Sequence, residues 1–171
     1  THPSKPDAEL ESLNVAILPL PGGEFYHFGT APELLTSTIS LQNLVKDQRF
    51  IIQKGVKRQT SVFTQNCLLE NRPTKKNEYI WIENSKLSAG WELSRHNIVT
   101  GVPQNNWQIS LKDGQCIDVV PIGEKAYALR VYGYNDPSRG ALDNEDTIYL
   151  GQPFKEWAAA RHLPLREFGI Q

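Results

Sequence analysis

The densest run of chemically capable side chains in this sequence is Pro21-Gly22-Gly23-Glu24-Phe25-Tyr26-His27-Phe28-Gly29-Thr30. Gly29 permits a tight turn into a helix whose free N–H groups can meet an anion. Glu24 and His27 then become polar groups near that anion or near sugar hydroxyls. The same residues also have a plain structural reading. Thr30-Ala31-Pro32-Glu33 has the form of a capping box, in which the Thr30 hydroxyl accepts from the third helical N–H while Glu33 reaches back to the cap. Pro32 falls where no donor is needed. The structural reading is preferred for Thr30 and Glu33, and His27 is balanced between a ligand contact and a hydrogen-bonded core residue.

A second candidate is electrostatic. Residues 46–76 hold eight basic side chains against two acidic ones, and Lys54, Lys57 and Arg58 offer ammonium and guanidinium groups to a phosphate. Such runs are more often solvated faces. Trp81, Trp91, Trp107 and Trp157 have rings that stack on sugars, although aromatics are more often core or interface. Among recognisable motifs there is no Walker A loop, GxSxG elbow, HExxH pair or Rossmann fingerprint. The four histidines are scattered, so a dedicated metal site is not expected.

The elements that must position these residues follow from the apolar pattern. Asn14-Val15-Ala16-Ile17-Leu18-Pro19-Leu20 reads as a strand, Pro21-Gly22-Gly23 as a turn, and Glu24 to Phe28 as a second strand of a hairpin. A helix near residues 31–45 follows, with Leu34, Leu35, Ile39 and Val45 on one face. Residues 61–69 read as a strand and 71–77 as an exposed loop. From Tyr79 to Tyr134 short apolar clusters recur between polar corners punctuated by Gly90, Gly101, Gly114 and Gly123. That pattern implies a mainly β fold, either a β-helix-like coil of short strands or a β-sandwich. Leu87, Leu93 and Val99 hint at a six-residue repeat, so the β-helix is favoured. Thr147 to Leu150 suggests one more strand, and a short helix is expected near residues 154–161, ended by Leu163-Pro164.

With 171 residues the chain is about one domain long: a lead-in over 1–13, then a single β-rich domain over 14–171. Eighteen basic against nineteen acidic residues give a net charge of -1, which argues against a nucleic-acid partner. No apolar run approaches the roughly 20 residues that span a bilayer. Cys67 and Cys116 lack CxxC spacing and read as reduced thiols of a cytoplasmic protein. The chain contains no Met, even at residue 1, which fits a segment excised from a larger enzyme.

Residues 23–35 follow a GxFxHxGTxxEhL pattern (h being apolar) that resembles the bifunctional L-fucokinase / L-fucose-1-phosphate guanylyltransferase family of bacteria. Further stretches agree: Val62-Phe63-Thr64-Gln65-Asn66, Ile98-Val99-Thr100-Gly101-Val102-Pro103, Cys116-Ile117-Asp118-Val119-Val120-Pro121, and Tyr132-Gly133 with Gly140-Ala141-Leu142-Asp143. The resemblance covers about residues 14–163 and implies salvage of L-fucose. In such enzymes a C-terminal kinase makes L-fucose-1-phosphate, and an N-terminal guanylyltransferase joins it to GTP with Mg²⁺. This sequence lacks the glycine-rich nucleotide loop and the kinase motifs, so it resembles the middle of the full enzyme. The implied role is to hold L-fucose-1-phosphate through Glu24, His27 and Thr30, with Lys54, Lys57 and Arg58 for phosphate. No catalytic residue and no cofactor are assigned to the segment, while Mg²⁺ with GTP and ATP is expected for the parent enzyme. Adjoining guanylyltransferase and kinase domains and a homo-oligomer are the implied partners. The alternatives are a β-helical scaffold joining two catalytic domains and a carbohydrate-binding module.

Overall fold

A computed structural model of the chain describes residues 13–44, 61–124, 126–137, 141–142, 144 and 146–169. One helix, α1 (Ala31–Asn43), precedes a coil of short strands. In chain order these are β1 (Val62–Gln65), β2 (Leu68–Leu69), β3 (Ile80–Glu83), β4 (Lys86–Leu87), β5 (Trp91–Glu92), β6 (Asn97–Thr100), β7 (Ile109–Ser110) and β8 (Gln115–Pro121). β1, β3, β6 and β8 pair in parallel along one face, β2 with β4 along a second, and β5 with β7 along a third. Ile80 lies against Val62, 18 positions earlier; Asn97 against Ile80, 17 earlier; and Ile117 against Val99, 18 earlier. The chain is thus a β-helix with a turn of two or three short strands every 17 or 18 residues. The sandwich alternative is excluded.

Two rows of left-handed residues turn the corners. Asn66, Asn84 and Gly101 follow β1, β3 and β6; Tyr79, His96 and Gly114 precede β3, β6 and β8; all six have positive φ. Asn and Gly tolerate that region because a short polar side chain, or none, avoids the Cβ clash. At Gly101 (φ +71°) a Cβ would also overlap the Val119 carbonyl oxygen, so glycine is required there. Tyr79 lacks that tolerance, and its ring stacks on that of His96 at 5.1 Å and 13°. Asn97 holds the same edge from inside: its Oδ1 accepts from Ser94 N–H (2.7 Å), and its Nδ2 donates to the Lys112 and Gln115 carbonyls (2.9 and 2.8 Å). Asn77 makes the corresponding bonds one turn earlier.

Alternation along each strand then sorts the side chains. Ile80, Ile82, Val99, Ile117 and Val119 point into the coil and form its core with Leu87, Trp91 and Leu111. Phe63, Trp81, Ile98, Cys116 and Tyr132 face outward, where Leu34 and Leu35 of α1 cover them. The coil ends where β8 pairs antiparallel with β9 (Tyr127–Gly133). Beyond it, β10 (Ile148–Tyr149), β11 (Gln152–Pro153) and the short helix α2 (Phe154–Ala159) gather Tyr149, Phe154, Trp157 and Phe168 into an aromatic cluster. Asp136 ties this unit to β9, accepting from the backbone N–H groups of Gly133, Leu150 and Gly151. No helix among the described residues is long and apolar enough to cross a membrane.

Three local expectations change. The hairpin over residues 14–28 does not form. A turn exists, with Gly23 N–H bonded to Leu20 O (3.0 Å), but neither flank is a strand. Pro19 and Pro21 remove ladder donors, and Ile17 and Phe25 are 92% and 87% exposed, so no apolar face is buried in return. The strand over 61–69 is broken into β1 and β2 by the left-handed Asn66. The third change is small: α2 ends at Ala159, two residues before its expected end, while α1 ends at Asn43, close to its expected limit.

Candidate functional site

α1 begins as its sequence dictates. Thr30 is the N-cap in an extended conformation, and its Oγ1 accepts from Glu33 N–H at 3.3 Å. Glu33 does reach back, but to side chains. Its Oε2 accepts from Thr30 Oγ1 at 2.9 Å and lies 2.8 Å from His27 Nδ1. The His27 contact, then the Thr30 hydroxyl, hold the Glu33 carboxyl below its ordinary range. Ser37 Oγ fixes the preceding chain by donating to His27 O at 2.6 Å. The His27 ring folds over Gly29, where a Cβ would collide with it. Glu24 turns away and accepts from the Tyr26 hydroxyl, which raises the Tyr26 pKa.

His27 and Thr30 are therefore joined through Glu33, and Glu24 belongs to a separate contact. Lys54, Lys57 and Arg58, like Val45, lie outside the described residues. The first turn of α1 also has few donors left for an anion. Glu33 N–H goes to the Thr30 hydroxyl, Leu34 N–H goes to Thr30 O at 3.0 Å, and Pro32 has none.

Thr30 does reach a cavity of about 480 Å³ between this first turn and the outer face of the β-helix. Ala31 and Leu34 form its helix wall, and Trp81, Ile98 and Tyr132 its floor. Beside that apolar floor runs a polar row fixed by strand register: Gln65, Glu83, Thr100, Asp118 and Arg130, each opposite the next across five strands. Glu83, Thr100 and Arg130 line the cavity directly.

The row is internally wired. Trp81 Nε1 donates to Glu83 Oε2 (3.0 Å), and Thr100 Oγ1 donates to Asp118 Oδ1 (2.6 Å). Asp118 is buried, and its Oδ2 accepts from both Nε (3.0 Å) and Nη2 of Arg130, whose side chain is 73% exposed. The Asp118 carboxylate raises the Arg130 pKa, first by the hydrogen bond and then by its charge. Arg130 also lies 5.7 Å from the centre of the Tyr132 ring. Burial pushes the Tyr132 hydroxyl up, and it pushes the Cys116 thiol behind the floor up to about 12. Cys116 is therefore a thiol, not a thiolate nucleophile, near neutral pH. The arrangement suits binding: an apolar platform on one side and oriented hydrogen-bonding groups on the other.

The residues of this row were not singled out by sequence reasoning. Gln65, Glu83, Thr100 and Asp118 stand 18, 17 and 18 positions apart, an interval that becomes a signal once the coil length is known. Arg130 joins through an antiparallel strand and carries no such signal.

The fucose pyrophosphorylase domain model matches residues 8–167 of this chain. The chain belongs to the fucose pyrophosphorylase domain family. It is also 45% identical over 163 residues to an L-fucokinase/L-fucose-1-P guanylyltransferase of Bacteroides fragilis. That match covers 95% of the chain but only 17% of the relative's length. No solved structure matches the chain. The family agrees with the resemblance carried by the motifs, and the GxFxHxGTxxEhL stretch is the one that starts α1 and forms one rim of the cavity.

Proposed function

We propose that this chain is the central segment of a GDP-L-fucose salvage enzyme, a single β-rich domain from about residue 14 that helps bind L-fucose-1-phosphate for guanylyl transfer from GTP. The observation that carries this reading is the cavity at the α1 N-terminus, built by a chain whose relative bears both activities in its name. In the transfer, a phosphate oxygen of the sugar phosphate attacks the α-phosphorus of GTP and pyrophosphate leaves. Such a step needs positioning and charge neutralisation more than covalent chemistry. This chain supplies positioning. His27, Glu33 and Thr30 lock the rim, and the coil sets the floor. Mg²⁺ accompanies GTP on the nucleotide side; among the described residues no group of three or more His, Cys, Asp or Glu side chains is arranged to hold a metal ion. Lys54, Lys57 and Arg58 remain candidates for the phosphate, and the cytoplasm is the compartment proposed.

A second reading has its own observation. Val15, Ile17, Leu18, Leu20 and Phe25 are exposed large apolar residues in one irregular stretch, as expected of a surface that meets another domain. Scaffolding of adjoining guanylyltransferase and kinase domains, or of an oligomer, through these residues is compatible with ligand binding in the cavity, which none of them lines. The separating experiment is His27→Ala in the full-length enzyme. A rise in KM for L-fucose-1-phosphate with an unchanged melting temperature supports the binding role. A lower melting temperature with unchanged KM assigns His27 to structure and favours the scaffold.

A further inference from the structure

We propose that the polar row Glu83, Thr100, Asp118 and Arg130, with Trp81 and Tyr132 as its platform, holds the sugar ring itself and leaves the phosphate outside the cavity. This rests on the reading above and adds which part of the ligand is recognised, and by which residues.

Charge decides between ring and phosphate. Among the described residues, Glu83 and Asp136 line the cavity alongside a single cation, Arg130. That cation already shares Nε and Nη2 with the buried Asp118, so the pair is close to neutral. The first turn of α1 has committed the N–H groups of Glu33 and Leu34 to Thr30. A dianionic phosphate placed here would meet more carboxylate than cation among the described residues. Sugar hydroxyls would not, because a carboxylate accepts from them without penalty.

Geometry supports the ring. Adjacent strands lie roughly 4.8 Å apart, so Glu83 on β3 and Thr100 on β6 address neighbouring positions of one small ligand. The Trp81 indole N–H fixes the orientation of the Glu83 carboxylate, and Asp118 fixes the Thr100 hydroxyl. Both are oriented before any ligand arrives. Trp81 and Tyr132 supply flat apolar surface beside these groups, which suits the C–H face and methyl group of a deoxyhexose. The volume, about 480 Å³, falls within the range of roughly 300–1,000 Å³ typical of small-molecule sites.

The test is calorimetric titration of the chain with L-fucose and with L-fucose-1-phosphate, for wild type, Glu83→Gln and Thr100→Val. Glu83→Gln keeps the acceptor for Trp81 and removes only the charge, so the fold is retained; circular dichroism and the melting temperature check this. Binding of both ligands with similar affinity, weakened about tenfold for both by Glu83→Gln, supports the proposal. Binding of L-fucose without L-fucose-1-phosphate also supports this site while contradicting the sugar-phosphate reading. Binding of L-fucose-1-phosphate alone, unaffected by either substitution, overturns this site and leaves the sugar-phosphate reading standing. Binding of neither ligand to wild type overturns both.

Discussion

Asn97 is the side chain on which the coil register depends most visibly, and its truncation gives a prediction with an internal control. It is fully buried, and its amide serves three backbone groups of two successive corners: Ser94 N–H, Lys112 O and Gln115 O. Asn97→Ala leaves all three without that partner. At about 1 kcal/mol per lost hydrogen bond, the cost is roughly 3 kcal/mol. For a chain of this size that corresponds to a fall in melting temperature of about 6–12 °C. Asn77 makes the same kinds of bond one turn earlier, to Thr74 N–H and to the Leu93 and Ser94 carbonyls, but it is only half-buried. Water replaces part of what Asn77→Ala removes, so its cost is about half as large. Asn97→Asp goes further, setting a carboxylate oxygen against two carbonyl oxygens. Burial and repulsion raise the pKa of that new carboxyl above its unfolded value, so the variant's deficit relative to wild type is smaller at pH 4 than at pH 7. Urea unfolding followed by circular dichroism measures all three variants. Equal losses for Asn97→Ala and Asn77→Ala, or a change below about 0.5 kcal/mol at Asn97, would refute the claim that buried corner amides set the register.

Further outcomes follow from single residues. Gly101→Ala places a Cβ at φ +71° against the Val119 carbonyl, and a loss of about 2–4 kcal/mol is expected in the same unfolding assay. With a thiol reagent, the native chain releases signal from the half-buried Cys67 alone, and Cys116 reacts only on unfolding; two fast thiols in the native state contradict the packing of α1. Cys116 has a folded pKa of about 12 against 9.0, so its stabilising contribution is complete below pH 9 and is lost as pH rises toward 12. Tyr134, pushed up to about 12 by burial, acts in the same direction, so Cys116→Ala reduces the alkaline loss only in part. Glu33 has the opposite sign. Its lowered carboxyl stabilises α1 above about pH 4.5 and loses that effect as pH falls through the folded value, and Glu33→Gln flattens this acid limb in a circular-dichroism titration.

The helix and the family were legible because their signals are local. The Thr30–Glu33 cap and Pro32 specify the start of α1 within four residues, and the GxFxHxGTxxEhL pattern lies in one continuous stretch. The β-helix was legible only as a preference. Its corners use Asn, Tyr, His and Gly at equivalent positions, and one turn of 17 residues among turns of 18 breaks a strict six-residue repeat. The hairpin over residues 14–28 misled because its apolar alternation is real, while strand formation needs a partner edge and a covered face. For the site, Glu24, His27 and Thr30 stood out as a dense polar cluster, yet Glu24 bonds to Tyr26, and His27 and Thr30 bond to Glu33 of the cap. The polar row at the cavity floor gathers residues from four strands. Only the register assembles Glu83, Thr100, Asp118 and Arg130.

The central claim is that this segment contributes to holding L-fucose-1-phosphate, and NMR titration of the isotope-labelled chain tests it most directly. Saturable shifts are expected on adding the sugar phosphate, confined to residues around Thr30, Trp81, Glu83 and Thr100, with no response to GTP alone. Absence of any shift with the sugar phosphate, or shifts confined to the exposed stretch near Ile17 and Phe25, would contradict it and leave the scaffold reading in its place.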